Sequence, residues 1–405
     1  MQLPAVEADV LAALAAILPP QSSPLPVTAW QEIDTANGQL RNTIGAHINN
    51  GKIFALTLRG CNLETLPESL TELEKLQILD VSANRLTALP HAIGNLRNLQ
   101  RLYLDENSLT ELPESIGRLT ALQELHIDSN QLKKLPESLD QLASLEQLSF
   151  QNNQIETLPD RIFEMSRLQA LSIGANRFSR LPAHLGKLEN LKALYIHNLE
   201  LEELPKEIGK LQKLDILDIG HNRLQSLPES LGGLSNLSSF LYLSDNQLSD
   251  LPASFRQLKK IKYLGLTDNQ FAALPEVVCD MKDLRELRLY NNQFKTLPQS
   301  IGNLSNLREL YLMNNRITDL PKSIGKLTAL SHLDLRNNSL QVLPESIRNL
   351  ENLTFIDLRA NRLTEIPDFL ADLPNLMKLD LRWNRLSSLP ARVSKLTERG
   401  CYVYT

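Results

Sequence analysis

Over most of the chain, apolar residues follow two alternating rhythms. In a stretch such as ELYLMNN (309–315), apolar and polar positions alternate at period two, the signature of a short strand. In the ITDLPKSIGKLTAL that follows, apolar positions fall three to four apart, which predicts a short helical segment. One unit therefore reads strand, turn, helical segment, return. The Pro of each L-P suits the first position of a helical turn, and the Leu before it is pushed toward extended geometry.

An Asn closes the strand pattern at 84, 107, 130, 153 and 176, then again at 222, 246, 269, 292, 315, 338, 361 and 384. The interval is 23 residues throughout, counting Leu199 as a substituted position, except for the 24 between 222 and 246. Stepping back from 84 reaches Cys61, which makes 15 units. A single unit buries too little apolar surface to stand alone, so the units must stack strand beside parallel strand. Strands pack about 4.8 Å apart while the helical side is bulkier, so the stack curves with strands inside. The expected fold is a right-handed α/β solenoid, a horseshoe with a concave parallel β-sheet.

The Asn has a physical task at the end of the strand. Its amide satisfies backbone groups that would otherwise be buried without partners, at about 1–3 kcal/mol each. Leu199 has no hydrogen-bonding group, and the longer interval places an extra residue between Leu237 and Leu241. Either irregularity reads as a functional site or as drift; a bulge of this kind re-aims side chains.

The pattern L-x-L-x-x-N-x-L-x-x-L-P resembles the leucine-rich repeat family, in its typical 23-residue class. The L-P-x-x-I-G-x-L variant is similar to the intracellular scaffolds of the Shoc-type and Scribble-type groups and to many bacterial leucine-rich repeat proteins. The resemblance covers about residues 51–405 and implies a horseshoe that binds proteins on its concave face.

An open stack needs caps. Val6, Val10, Leu14 and Ile17 predict a first helix, and Leu40, Ile44 and Ile48 a second one within TAWQEIDTANGQLRNTIGAHINN. At the other end Leu389, Pro390 and Leu396 keep register, and CYVYT reads as a final edge strand. The expected organisation is a helical N-terminal segment and cap (1–50), repeats (51–390) and a C-terminal cap with an edge strand (391–405).

Composition narrows the function. A net charge of −5 with scattered Lys and Arg lacks the basic footprint of a nucleic-acid binder. The longest apolar run, VLAALAAIL, has nine residues, about half of a membrane span. Cys61, Cys279 and Cys401 show neither disulfide nor metal-ligand spacing, and the cysteine-rich caps usual in extracellular relatives are absent. A cytoplasmic protein is expected, with a secreted or surface location as the alternative.

Side chains of the x positions in L-x-L-x-x-N face out of the sheet. Three groups stand out among them. Asp80, Asp105, Glu106, Glu124 and Asp128 make the first third acidic. The middle gathers Tyr195, His197, His221, Tyr242, Tyr263, Arg288, Tyr290, Tyr311 and Met313. Tyr with Arg is the composition of binding hot spots, so this group is the candidate partner site. A D-L-R triplet then recurs as Asp334 and Arg336, Asp357 and Arg359, Asp380 and Arg382. That strip reads as a self-neutralising network or as a secondary charged docking surface.

Asp105, His126 and Ser149 could meet on adjacent strands, but an open sheet supplies no water-excluding pocket or oxyanion donors. His197 and His221 lack a third ligand for zinc. Cys279 reads as a small buried residue. No catalytic residue, metal or cofactor is expected. The sequence points to a non-enzymatic protein-binding scaffold, with signalling as the role that the resemblance implies. The alternatives are a recognition subunit for a separate ligase or kinase chain, and an adhesive surface or secreted protein.

Overall fold

The computed structural model describes residues 3–18, 25–29, 44–388 and 391–405. Leu40, Leu389 and Pro390, used above to anticipate the caps, lie outside them. The chain divides into two compact units, Met1–Ser179 with His184–Leu199, and Arg180–Ala183 with Glu200–Thr405.

The first unit opens with helix α1 (Ala5–Ile17), an Ala-rich segment that follows Pro4. Val10 and Leu14 are buried as expected, and Leu18 is buried in place of Ile17, which is exposed. Glu7 is buried too, and Lys52 Nζ lies 3.1 Å from its carboxylate. The second predicted helix is not formed where the chain is described. Residues Gly45–Asn49 are instead strand β2, antiparallel to β3 (Lys52–Thr57), and Ile48 lies within β2. Between them Asn50 and Gly51 take φ of 47° and 78°, the left-handed pair that a two-residue hairpin turn demands. A short β1 (Val27–Ala29) runs parallel to β2 on its other side.

From β3 onward each unit of sequence gives one three-residue strand. In the first unit β4 (Ile78–Asp80), β5 (Arg101–Tyr103), β6 (Glu124–His126), β7 (Gln147–Ser149), β8 (Ala170–Ser172) and β9 (Ala193–Tyr195) follow β3 in parallel. In the second, β10 (Ile216–Asp218), β11 (Phe240–Tyr242), β12 (Tyr263–Gly265), β13 (Glu286–Arg288), β14 (Glu309–Tyr311), β15 (His332–Asp334), β16 (Phe355–Asp357) and β17 (Lys378–Asp380) do the same. The final β18 (Tyr402–Tyr404) pairs parallel to β17, as CYVYT predicts, behind the short helix α2 (Ser394–Glu398). Within each unit the central Leu or Ile of the strands from β4 to β17 is buried. The solenoid expected from the repeat is the fold.

The returning segments are 3-10 turns rather than α-helix, as in Glu68–Glu72 and Lys322–Lys326. Their apolar side chains recur every third residue, the period of a helix with three residues per turn. The Pro of L-P sits one place earlier than anticipated. It caps the turn in extended geometry, and its carbonyl accepts the first bond, as when Leu70 N–H donates to Pro67 O. Where I-G occurs, the next rung comes too close for a side chain at the Gly. A Cβ on Gly325 would stand 2.2 Å from Ser346 O. Cys279 occupies that place in its own rung, and burial pushes its thiol up to about 11.

Each strand-ending Asn knits its neighbours together. Asn84 Nδ2 donates to Leu58 O and Val81 O, and its Oδ1 accepts the Leu63 N–H, all within 2.9 Å. The residue before it takes a left-handed turn, as do its equivalents along both units. Where the Asn is missing, the residue after it also turns left-handed: Gly60 and Asn62 flank Cys61, and Asn198 and Glu200 flank Leu199. The backbone answers the absent amide. Leu199 itself is 1% exposed, part of the core. It cannot accept the Phe178 N–H, which stands where the Leu63 N–H stands relative to Asn84. Restoring the amide with Leu199→Asn is expected to stabilise the protein by about 1 kcal/mol, through a recovered hydrogen bond and a relaxed Glu200. A lower urea midpoint for the variant would contradict this.

The extra residue before β11 does not disturb the sheet. Ile216 pairs with Phe240 across the longer interval, and the following strands return to 23. Asp215 holds the bulge, accepting from Ser238 Oγ at 2.5 Å, Ser239 N–H at 3.0 Å and Ser239 Oγ at 2.8 Å. Burial pushes the Asp215 carboxyl up, but the Ser238 and Ser239 hydrogen bonds outweigh it and hold its pKa below the usual range.

Candidate functional site

Each strand shows three outward positions to the open face of its sheet, one more than the two columns read from L-x-L-x-x-N. The overlooked column precedes the first Leu. In the second unit it runs Phe240, Tyr263, Glu286, Glu309, His332, Phe355, Lys378 and Tyr402, each in register with the next. Stepping back by two from each first-column residue would have exposed it; Tyr263 was the one member singled out.

This column turns a scatter of tyrosines into a connected band. Tyr263 lies 5.3 Å from Phe240 and 6.1 Å from Tyr242, the latter nearly parallel. Arg288 sits between Tyr263 and Tyr311, its guanidinium carbon 5.3 and 5.4 Å from their ring centres. Tyr311 then meets His332 at 5.9 Å, and His332 stacks on Phe355 at 4.1 Å. Lys378 Nζ continues the run, 5.1 Å from Phe355 and 5.6 Å from Tyr404. Arg382 lies over both Tyr404 and Trp383. Such ring and cation contacts add about 0.5–1.5 kcal/mol apiece and fix the side chains in place.

Glycines shape the near end of the band. A Cβ on Gly220 would stand 2.7 Å from Tyr242 Cδ1, and one on Gly265 would stand 3.1 Å from Tyr242 Cδ2. The Tyr242 ring therefore lies across bare backbone on both sides. Phe240, the first residue of β11, is 50% exposed.

Burial raises the hydroxyl pKa of Tyr263 and, together with a hydrogen bond to Glu309, that of Tyr311. Burial also lowers the pKa of His332, with Glu309 opposing and Lys378 reinforcing the shift. Both tyrosines and the imidazole are thus neutral near pH 7. Arg288 Nε is anchored 2.6 Å from Glu286, and Tyr311 OH donates to Glu309 at 2.6 Å. Met313 is held by Arg336, whose Nη2 lies 2.8 Å from its sulfur.

Not every predicted site residue joins this band. His221 is exposed in the turn after β10, where Asp245 Oδ2 lies 2.8 Å from its Nδ1. Tyr195 and His197 belong to the first unit. His197 lies against Gly174, whose added Cβ would come within 2.9 Å of the ring. Tyr290 is half-buried in the column that follows the second Leu, where its hydroxyl adds to the electrostatic surroundings of Tyr263 and Arg288.

The D-L-R strip has a structural employment. Asn384 Nδ2 takes the Leu358 carbonyl that the Arg382 N–H would reach in a regular parallel ladder. The carboxylate of Asp380 accepts that N–H instead. The same i to i+2 bond joins Asp80 to Ser82, Asp218 to Gly220, Asp334 to Arg336 and Asp357 to Arg359, at 3.0 to 3.2 Å. Asp334, Asp357 and Asp380 are buried, with Arg336, Arg359 and Arg382 folded over them. Burial raises the pKa of Asp334; at Asp380 the hydrogen bonds and charge of Arg382 and Arg359 overcome burial and lower it.

In the first unit, Ser149 Oγ donates its proton to Asp128 Oδ1 at 2.5 Å. That proton is therefore not aimed at His126, as a serine nucleophile's would be. Asp105, His126 and Asp128 each bring one ligand atom within 4.8 Å of the others, a donor set suited to Zn²⁺ or Mn²⁺. One oxygen of each carboxylate is already spent on backbone, Asp105 on Asp128 N–H and Asp128 on Gln151 N–H. Glu106 and Glu124 pair with Arg59 and Arg101. Cys61, Cys279 and Cys401 are buried free thiols, and no helix among the described residues is long and apolar enough to cross a membrane.

Comparison with known proteins follows the same lines. A family profile described as "Leucine-rich repeat region" matches residues 46–130, 182–261 and 252–335, and shorter profiles of the same kind match 120–164 and 329–350. No curated protein matches the chain in sequence. Among solved structures, a leucine-rich repeat protein of Leptospira interrogans is 32% identical over 93% of this chain and 99% of its own, with a TM-score of 0.82. The leucine-rich effector protein YopM of Yersinia pestis is 26% identical over 87% of this chain and 89% of its own, with a TM-score of 0.58. The functional domain of InlJ from Listeria monocytogenes, at 21% identity over 81% and 67% and a TM-score of 0.68, shares the fold.

Proposed function

Because the chain belongs to the leucine-rich repeat family, whose fold is typical of protein–protein interaction, we propose that it is a non-enzymatic scaffold that holds a protein partner on the open sheet face of its second unit. The observation that carries this reading is the band from Phe240 to Tyr404, in which rings and cations touch in succession outside the leucine core. A rung needs no aromatic side chain outside its core in order to stack, since rungs of the first unit do so with Ser149 and Ser172 at the equivalent positions. Large amphipathic side chains held in fixed poses lose little entropy when a partner covers them, which is why Tyr and Arg dominate hot spots. An interface of ordinary size needs about 800 Å² on each side, within reach of several adjacent strands.

The test uses partner recovered from the native cell by the full chain. Tyr242→Ala with Tyr290→Ala is expected to weaken capture by about a hundredfold, at about 1–2 kcal/mol per truncated ring, while leaving the melting temperature within a few degrees. Capture that survives the double substitution would remove the face from consideration.

A further inference from the structure

The open face of the second unit holds its own cations by a repeated device. Arg288 is seated between Tyr263 and Tyr311 with Glu286 as its counter-ion. Lys378 is seated between Phe355 and Tyr404. Between these two slots stands Glu309, half-buried and directly beside Glu286 in the β13–β14 register. On its other side it is in register with His332, whose ring stacks on Phe355. Tyr311 OH donates to one of its oxygens. Among the described residues no Lys or Arg forms an ion pair with Glu309, although its neighbour Glu286 has Arg288. Of two adjacent carboxylates, only Glu286 thus has a cation, and neutral rings surround both.

We propose that Glu309 is the anchor for an arginine or lysine side chain of a protein partner, seated beside Tyr311 and the face of His332 that is not stacked on Phe355. The inference rests on the reading that this face binds protein, and adds the partner's chemistry to it. A partner cation restores one positive charge per carboxylate in the column. The neutral ring of His332 offers the incoming group a π face rather than a like charge. Lys378, one strand beyond Phe355, sets the limit of the slot on that side, because a second cation placed there would meet its charge.

The experiment selects random twelve-residue peptides displayed on phage against the full chain, and measures the affinities of the recovered peptides after synthesis. The expected result is a shared Arg or Lys whose replacement by Gln weakens binding about tenfold. Glu309→Gln is expected to weaken binding by a similar factor, with the two losses not adding in the combined pair, as for a direct ion contact. The variant keeps an oxygen for Tyr311 OH, so its melting temperature should match the parent and a loss of binding cannot be a loss of fold. Peptides that lack a basic residue, or that ignore Glu309→Gln, overturn the anchor. If those peptides still fail on the Tyr242→Ala, Tyr290→Ala protein, the binding face survives without it. Peptides indifferent to both changes, or no enrichment at all, remove the anchor and the face together.

Discussion

Replacing Asn269 by leucine is expected to lower the unfolding free energy by about 3–5 kcal/mol. The amide is buried and fully used: the Leu248 N–H donates to its Oδ1 at 2.9 Å, and its Nδ2 reaches the carbonyls of Leu243, Leu266 and Thr267 at 3.0 to 3.2 Å. A leucine fits the volume and satisfies none of these groups. Each orphaned group costs about 1–3 kcal/mol, and the extra apolar burial returns part of it. Leu199 shows that one such loss is survivable when the next residue turns left-handed in response. At Asn269 that route is closed, because the Gln270 N–H is already committed to Leu248 O at 2.8 Å. Urea unfolding followed by circular dichroism would measure the effect; a change below about 1 kcal/mol would show that the amide ladder is dispensable.

Asp357→Ala is expected to cost about as much, about 3–5 kcal/mol, and for a different reason. Asp357 is 0% exposed, and it takes three kinds of donor from one residue: the Arg359 N–H, its Nε and its Nη2. Its removal leaves a backbone N–H without an acceptor and half frees a guanidinium that is also 3.4 Å from Asp380. Salt separates this from an ordinary surface pair, since an exposed pair would weaken as ionic strength rises whereas a buried one is screened far less. The expected destabilisation is therefore nearly the same in dilute buffer and in high salt. A loss of less than about 1 kcal/mol, or one that vanishes in salt, would reclassify the D-L-R triplets as surface decoration.

Periodicity made the fold legible, because a 23-residue spacing kept over 15 rungs leaves only stacking as a way to bury the leucines. Two local features escaped it for physical reasons. The stretch ending in Ile48 has helix-like spacing, yet Asn50 and Gly51 adopt left-handed geometry more easily than most residues, and that turn sends the chain back as a hairpin. The return segments were read at a spacing of three to four, whereas their apolar residues recur every third, the period of a 3-10 turn. The candidate site was half legible. Tyr242, Arg288 and Tyr311 stood out because a leucine pattern marks their column. Phe240, Glu286, Glu309, His332, Phe355 and Lys378 did not, because the strand begins one position before its first leucine. The D-L-R triplets looked like charges on a surface; only the hydrogen bonds reveal a carboxylate replacing a carbonyl that the asparagine had taken.

The bulge clasped by Asp215 has a consequence for how chains of this kind diverge. A codon gained ahead of a strand is absorbed by two serines and a carboxylate, and every later rung proceeds as if nothing had happened. A codon gained inside a strand would turn each leucine after it toward water until the strand ended. Length variation among descendants should therefore collect in the return segments, and whole coils should be duplicated or discarded more readily than fractions of one.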